Sequence, residues 1–297
     1  MSKWWLLSAA IMLWMASGYA MVRSPADAGP RAVRPQAPAR IVSMAPNLTE
    51  ILFALGLESN VVGVTQDSDY PPAARNKPSV GTFWQPSIEA IIATRPDLVV
   101  TEAFEQQRDL ARRLQRMGYN NLMVEVETIA GLFDAILAIG AAAGANRQAE
   151  TLCANMRTEI DQLHATIVGA RPVKVLWVVQ REPLRVAGRG TFVNEMIELA
   201  GGGNAIGPTL HIYPAVGAEQ VIAARPEVII EPAMLPGTMD RQRQQALSYW
   251  NRFSNVPAVG TGRIYIIDGD LVSRLSPRLP TAIKTIAQCL RPDLSGE

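Results

Sequence analysis

The chain has 297 residues, 48% of them hydrophobic and 19% charged, and its 28 Lys and Arg against 27 Asp and Glu leave a formal charge of +1. That is globular composition, long enough for one or two cores, and neither the net charge nor any run of Lys or Arg gives an electrostatic reason to expect nucleic acid. Two cysteines, Cys153 and Cys289, are too few for a disulfide scaffold; they either pair or stand as buried thiols on their helices, and the thiols are the expectation.

Residues 1–22 are different in kind. Lys3 precedes an almost wholly apolar run from Trp4 to Met15, then small residues from Ala16 to Ala20, with Gly18 and Ala20 suited to a cleavage site. That is the pattern of a secretory signal peptide. The same stretch, from Trp4 to Val22, carries no charge and is nearly long enough to span a bilayer, so an uncleaved N-terminal anchor is the other reading. In both, the body is exported to the periplasm. No cysteine follows the run to support a lipid anchor, and residues 23–39 form a Pro/Ala-rich, semi-extended linker.

The body writes one stretch twice. Glu89 to Val100, EAIIATRPDLVV, returns without a gap as Glu219 to Ile230, EQVIAARPEVII. Each copy reads as a short apolar helix stopped by Arg-Pro, then an acidic residue, then a buried strand. A single repeat at this distance predicts two similar α/β lobes rather than a solenoid. The lobes span 40–145 and 170–297, with a backbone helix, 146–169, between them.

In chain order, the first lobe opens with a strand at Arg40 to Ser43 and a helix behind it, where Asn47 and Glu50 have capping-box spacing. The turn from Ala45 through Pro46 to Asn47 therefore sits at a strand's carboxyl end, where open α/β sheets bind ligands. A second strand, 61–64, leads into a loop at 67–72. Phe83 and Trp84 stand between turn residues and, by position alone, read as core plugs before ligand walls. Beyond the first repeat come a helix from Arg108 to Met117 and a strand at 122–126.

Helical period covers 129–143, Gly144 breaks it, and Asn146 can cap a second helix from Arg147 to about Ile167. Such a rod is roughly 30 Å long and resists bending between the lobes. The second lobe continues with a strand at 173–179, a helix from Phe192 to Ala200 capped by Gly201 to Gly203, and a loop at 211–214. The second repeat, a strand at 263–267, a loop at 268–277 and a helix at 281–290 complete it.

No nucleophile elbow, Walker-type loop or dinucleotide fingerprint occurs. With only His164 and His211 and two distant cysteines, a side-chain metal cluster is not expected, and both histidines read first as structural. What remains describes a binding cleft better than an active site.

Ser43 to Glu50 (SMAPNLTE), Ser68 to Pro72 (SDYPP), Ile88-Glu89 with Arg95 to Val100, Ala200 to Asn204 (AGGGN) and Ser276-Pro-Arg278 resemble the helical-backbone substrate-binding proteins of ABC importers, most of all their cobalamin-binding branch. The match runs from about Arg40 to the C-terminal helix.

The resemblance implies two α/β lobes with central sheets, a cleft between them for a metal chelate carried as cargo, no bond chemistry and no resident cofactor. The implied partner is a permease dimer with its ATPase subunits. Tyr70, Trp84 and Tyr213 fall at the family's aromatic contacts and Asp270 at a polar one; Ala45, Pro46 and Arg185 complete the expected ligand set. Glu102 and Arg185 stand where the cobalamin binder aligns aromatic residues, and Leu271 and Val272 replace an aromatic pair. Ferric siderophore or haem is the alternative cargo, with Arg185, Arg189 and His211 as contacts. An enzyme acting on a tetrapyrrole would need a paired acid and base, which the sequence does not offer; a membrane-tethered sensor would need the N-terminus to remain uncleaved. By the same resemblance Glu89 and Glu219 would meet arginines of the two permease subunits, while by position alone they are helix N-terminal acids.

Overall fold

The computed structural model describes residues 37–167, 169–233 and 239–295; the signal-peptide or anchor segment and most of the expected linker lie outside the described residues. The first lobe is built from β1 (Ile41–Ser43), α1 (Pro46–Ala54), β2 (Val61–Gly63), α2 (Ile88–Ala93), β3 (Leu98–Glu102), α3 (Glu105–Arg116) and β4 (Asn121–Val124). Its sheet runs β2-β1-β3-β4, every pair parallel. The two middle strands are buried at every residue. Both faces of a parallel sheet are covered by helices, which is why these strands read as nearly unbroken apolar runs.

Two helices follow, α4 (Ile129–Ala143) and α5 (Asn146–Ile167). The hydroxyl of Thr128 caps α4 by accepting the Gly131 N–H at 3.0 Å, and Gly144 ends it in the left-handed region at φ 72°. A Cβ at Gly140 would lie 2.4 Å from Ala149 Cβ, so α4 and α5 can touch there only because Gly140 has none. The 22 residues of α5 make a rod of roughly 33 Å. Asn146 is its first helical residue, not the cap outside it.

The second lobe contains β5 (Val173–Arg181), β6 (Leu184–Val186), α6 (Phe192–Leu199), β7 (Gly202–Asn204), α7 (Ala218–Ala224), β8 (Val228–Ala233), α8 (Met239–Trp250), α9 (Pro257–Gly260), β9 (Ile264–Asp268), α10 (Gly269–Val272) and α11 (Leu279–Leu290). Its sheet runs β6-β5-β8-β9, with β7 also paired to β5. All pairs are parallel except the β5–β6 hairpin.

Three further expectations need correction. Asn47 and Glu50 form no capping box: Ala45 is the N-cap, Asn47 lies inside α1, and Glu50 points inward, 3% exposed. Gly201 does end α6, at φ 80°, but Gly202 and Gly203 are strand, paired with Val173 and Lys174. The expected loop at 268–277 holds a helical turn, α10, which Asp268 caps by accepting the Asp270 N–H at 2.9 Å.

The doubled stretch forms the same joint in both lobes. Arg95 and Arg225 take φ of 49° and 47°, a region that residues with a Cβ seldom enter, because the following proline keeps them out of the helical well. The next acid then ties two strand starts together. Asp97 Oδ2 accepts the Arg40 N–H at 2.9 Å, and Glu227 Oε2 accepts the Lys174 N–H at 3.1 Å. In each lobe this sets the middle pair, β1 with β3 and β5 with β8, in register.

One apolar cluster passes through both lobes, including Ile41 and Leu48, Ile136 of α4, Met156 and Ile160 of α5, and Ile283 and Leu290 of α11. The backbone helix packs against both α4 and α11. It is therefore seated in a shared core along its length. Cys153 and Cys289 are free thiols buried in that core. Burial raises both pKa values, that of Cys289 to about 11 even though the Arg263 charge opposes the shift.

Candidate functional site

The carboxyl ends of the two sheets face one another, and three contacts between lobes fix this. Asp69, in the loop after β2, accepts from Arg274, beyond β9, at 2.9 Å. Glu50 of α1 accepts from Arg278 at 2.6 and 2.7 Å. At the start of α4, the Ile129 N–H donates to Glu195 of α6 at 2.8 Å. The loops that leave these strand ends carry most of the expected ligand residues, while Arg185 lies on β6.

In the first lobe, Ala45 is fully buried at the end of β1 and Pro46 half-buried beside it. The Ala45 carbonyl accepts from the Thr49 N–H at 3.0 Å. Thr49 Oγ1 reaches Ser43 at 2.8 Å and Ser68 at 3.0 Å, and Ser68 meets Thr65 at 2.8 Å. This buried run of hydroxyls pins the loop bearing Asp69 and Tyr70 to the first turn of α1. Trp84 rides the tip of a tight loop closed by a bridge between Gly81 and Pro86. It is 62% exposed, edge-on to Phe83 at 4.8 Å and to Phe104 at 6.5 Å. Trp84 is thus no core plug, and Phe83 anchors it: Phe83 packs on the core, and its N–H donates to Asp67 at 3.2 Å. Phe104, missed in the sequence, begins the turn after β3 and completes the aromatic platform.

Beneath that turn is a buried polar group. Glu102, the last residue of β3 and 5% exposed, accepts a short hydrogen bond from the Asn47 amide. Its N–H donates to Gln107 Oε1 at 2.8 Å, and Gln107 Nε2 donates to the Met44 carbonyl at 2.8 Å. Burial pushes the Glu102 carboxyl up to about 7, with Asn47 opposing the shift and the Glu127 charge adding to it.

From the second lobe, Asp270 pairs with Arg274 at 3.0 Å, and its carbonyl accepts from Arg278 at 3.3 Å. The Arg278 guanidinium lies 4.1 Å over the ring of Tyr70, within cation–π range. Tyr70 and Asp270, from different lobes, are thereby gathered around two arginines. Burial works against the charge of Asp69, but the Arg274 hydrogen bond and charge, helped by Arg75, hold its carboxyl below the usual range. Arg185, exposed on β6, reaches the Tyr213 carbonyl at 3.4 Å. Tyr213 is half-buried against the core, and burial raises its pKa. His211 is exposed on the same loop, as His164 is on α5.

Three groups result: Trp84 with Phe83 and Phe104, Tyr70 with Asp270, and Tyr213 with Arg185. Among the described residues they share no hydrogen bond or ring contact with one another. Glu89 and Glu219 occupy the same position in the first turns of α2 and α7, both exposed. A separate hollow of about 730 Å³ between the β5–β6 hairpin and α8 is lined by Arg181, Tyr249 and Arg252 among others, and by none of the expected ligand residues. No group of His, Cys, Asp and Glu among the described residues could hold a metal ion, and no helix among them is long and apolar enough to cross a membrane.

The residues that sequence reasoning missed at this site are mostly charged. Glu50 interrupts the apolar face of α1, where a charge must find a partner, and Arg278 closes the Ser276-Pro-Arg278 motif. Each signal marks its own residue, but nothing local joins the two.

The family model described as periplasmic binding protein matches residues 41–271. The "Uncharacterized ABC transporter substrate-binding lipoprotein YvrC" of Bacillus subtilis is 29% identical over 267 residues, 88% of this chain and 82% of that protein. The "Vitamin B12-binding protein" of Vibrio cholerae is 28% identical over 255 residues, 85% of this chain and 89% of that protein. Among solved structures, the periplasmic heme-binding protein RhuT from Roseiflexus superposes with a TM-score of 0.73 at 27% identity, covering 85% of this chain and 98% of that one.

Proposed function

The chain belongs to the periplasmic binding protein family, a family of non-enzymatic binding proteins for transport, and we propose that it captures cobalamin or a related corrinoid for its ABC importer. As a substrate-binding protein of the importers for B12, haem and siderophores, it delivers cargo and leaves ATP hydrolysis to other subunits. The observation that carries the cargo reading is the exposed Trp84 platform of the first lobe, and in this reading it forms one wall of a cleft whose other wall carries Asp270 and Tyr213. A flat, bulky, largely neutral ring system is what such a surface can stack against. The likeness to the Vitamin B12-binding protein over most of both chains supports it. In this reading Tyr70, Trp84, Tyr213, Asp270 and Arg185 contact the ligand, Ala45 and Pro46 form the turn beneath it, and Glu89 and Glu219 dock one to each subunit of a two-fold permease.

A second reading, haem or a ferric siderophore, is favoured by His211, Arg185 and Arg189, all exposed in the second lobe, and by the likeness to RhuT. Titration with cyanocobalamin, cobinamide and haemin, followed by tryptophan quenching and calorimetry, separates the two. Saturable one-to-one binding of a corrinoid supports the first reading; binding of haemin alone replaces it with the second.

A further inference from the structure

Glu102 closes β3, a central strand of the first sheet, so its side chain lies at the strand ends that face the other lobe. One carboxylate oxygen, Oε1, is taken by the Asn47 amide. The other, Oε2, has no hydrogen-bond partner among the described residues, yet it is not among their sealed, unpartnered atoms, which are Asn194 Oδ1 and Arg291 Nε. Oε2 is therefore not completely sealed, at the end of a strand two residues before Phe104.

The groups around it carry no compensating charge. Asn47 of α1 and Gln107 of α3 are neutral amides, and the charged neighbour, Glu127 of the segment after β4, is another acid. No described cation forms an ion pair with Glu102. Because Oε1 accepts from Asn47, a bound proton belongs on Oε2, where its O–H is free to donate. A buried carboxyl without a cation holds that proton into the neutral range, and here the pKa is about 7.

We infer that Glu102 is a proton-dependent specificity contact in the cleft, donating from Oε2 to a carbonyl acceptor on a cargo whose rim carries neutral amides, and repelling cargo whose rim carries carboxylates. This rests on the corrinoid reading. The proton is not transferred; it is retained on Oε2 and shared in a hydrogen bond. When Glu102 ionises, the donor is lost and a desolvated negative charge takes its place. A neutral amide cargo then binds more weakly, and an acidic rim meets like charge.

The test uses the purified full-length chain with cyanocobalamin as the probe, from roughly pH 5.5 to 8.5. Only the protonated fraction is competent for this contact, so affinity falls between those limits, by as much as about thirtyfold where the ionised form does not bind. Calorimetry in buffers of different ionisation enthalpy shows uptake of close to one proton per cyanocobalamin bound at about pH 8. In Glu102→Gln the uptake disappears and the pH profile flattens. Binding that does not vary with pH, or a wild-type chain that takes up no proton, overturns the inference and leaves the corrinoid reading standing; the same holds if Glu102→Gln keeps the wild-type profile. A folded wild-type chain that binds no corrinoid at any pH overturns both. The proton-uptake measurement needs no variant, so it stands even if Glu102→Gln fails to fold.

Discussion

Arg278 of the second lobe forks onto Glu50 of the first, Nε to Oε2 at 2.7 Å and Nη2 to Oε1 at 2.6 Å. The Glu50 side chain is 2% exposed and that of Arg278 17%, so water screens this pair little. Burial opposes the charge of Arg278, but the Glu50 hydrogen bonds and charge outweigh it and hold the guanidinium above its ordinary pKa. A planar fork matched to a carboxylate is already organised for two bonds. The pair fastens the lobes at the strand ends, where Tyr70 and the Asp270 carbonyl both contact Arg278.

Removing one partner leaves the other buried and charged. Arg278→Met should therefore cost about 3–5 kcal/mol, whereas the double variant Glu50→Leu with Arg278→Met should recover most of that loss. Urea denaturation of the three chains checks this. A double variant no more stable than Arg278→Met would mean that Glu50 does not depend on Arg278.

The sequence makes the lobes legible because the doubled stretch is a local device. Helix, Arg-Pro, acid and strand are neighbours in the chain, and each step has its own steric or hydrogen-bonding cause, so Arg95 and Arg225 adopt the same conformation in both lobes. Pairings that join distant residues were not legible. Glu50 and Arg278 are 228 positions apart, and neither carries a local sign of the other. Met239–Trp250 escaped notice for a different reason: within this helix only Ala246 and Trp250 are buried, which is too thin an apolar stripe to show a period. Position alone favours a plug at Trp84, because turn residues on both sides suit a plug as well as a platform.

Trp84 is the aromatic most available to a ligand in the first lobe. If it forms a wall of the cleft, Trp84→Ala should weaken cyanocobalamin binding by on the order of 1 kcal/mol beyond the loss of buried area, or more than about fivefold. Phe83→Leu should weaken it less, since Phe83 acts by holding the indole edge at 4.8 Å. Calorimetric titration measures both. Unchanged affinity in Trp84→Ala for corrinoid and haemin alike would remove this residue from the site.

Glu89 and Glu219 can be tested without touching the cleft. Charge reversal of either, Glu89→Lys or Glu219→Lys, should leave cargo affinity unchanged, because both side chains are exposed in the first turns of their helices. Uptake of cargo by cells carrying the cognate permease should fall sharply in each single variant and be abolished in the double. The helix-dipole role alone would cost about 0.3–1 kcal/mol of stability per site and leave uptake intact. Stability loss with normal uptake would therefore sink the docking role.

Glu102 makes a prediction about stability that is independent of any ligand. Its carboxyl is raised from an ordinary 4.5 to about 7 in the folded chain, so the native state holds this proton more tightly than the unfolded one. Its contribution is intact below about pH 4.5, declines as pH rises through the folded value, and stays lost above it. The full excursion corresponds to about 3 kcal/mol. Glu102→Gln keeps an acceptor for the Asn47 amide but cannot ionise. Relative to wild type, its stability should rise between about pH 5 and pH 8 by up to about 3 kcal/mol, read as a growing difference in urea midpoint. A difference that stays constant across that range would mean that Glu102 titrates as an ordinary carboxylate, with its charge relieved by solvent in spite of the burial.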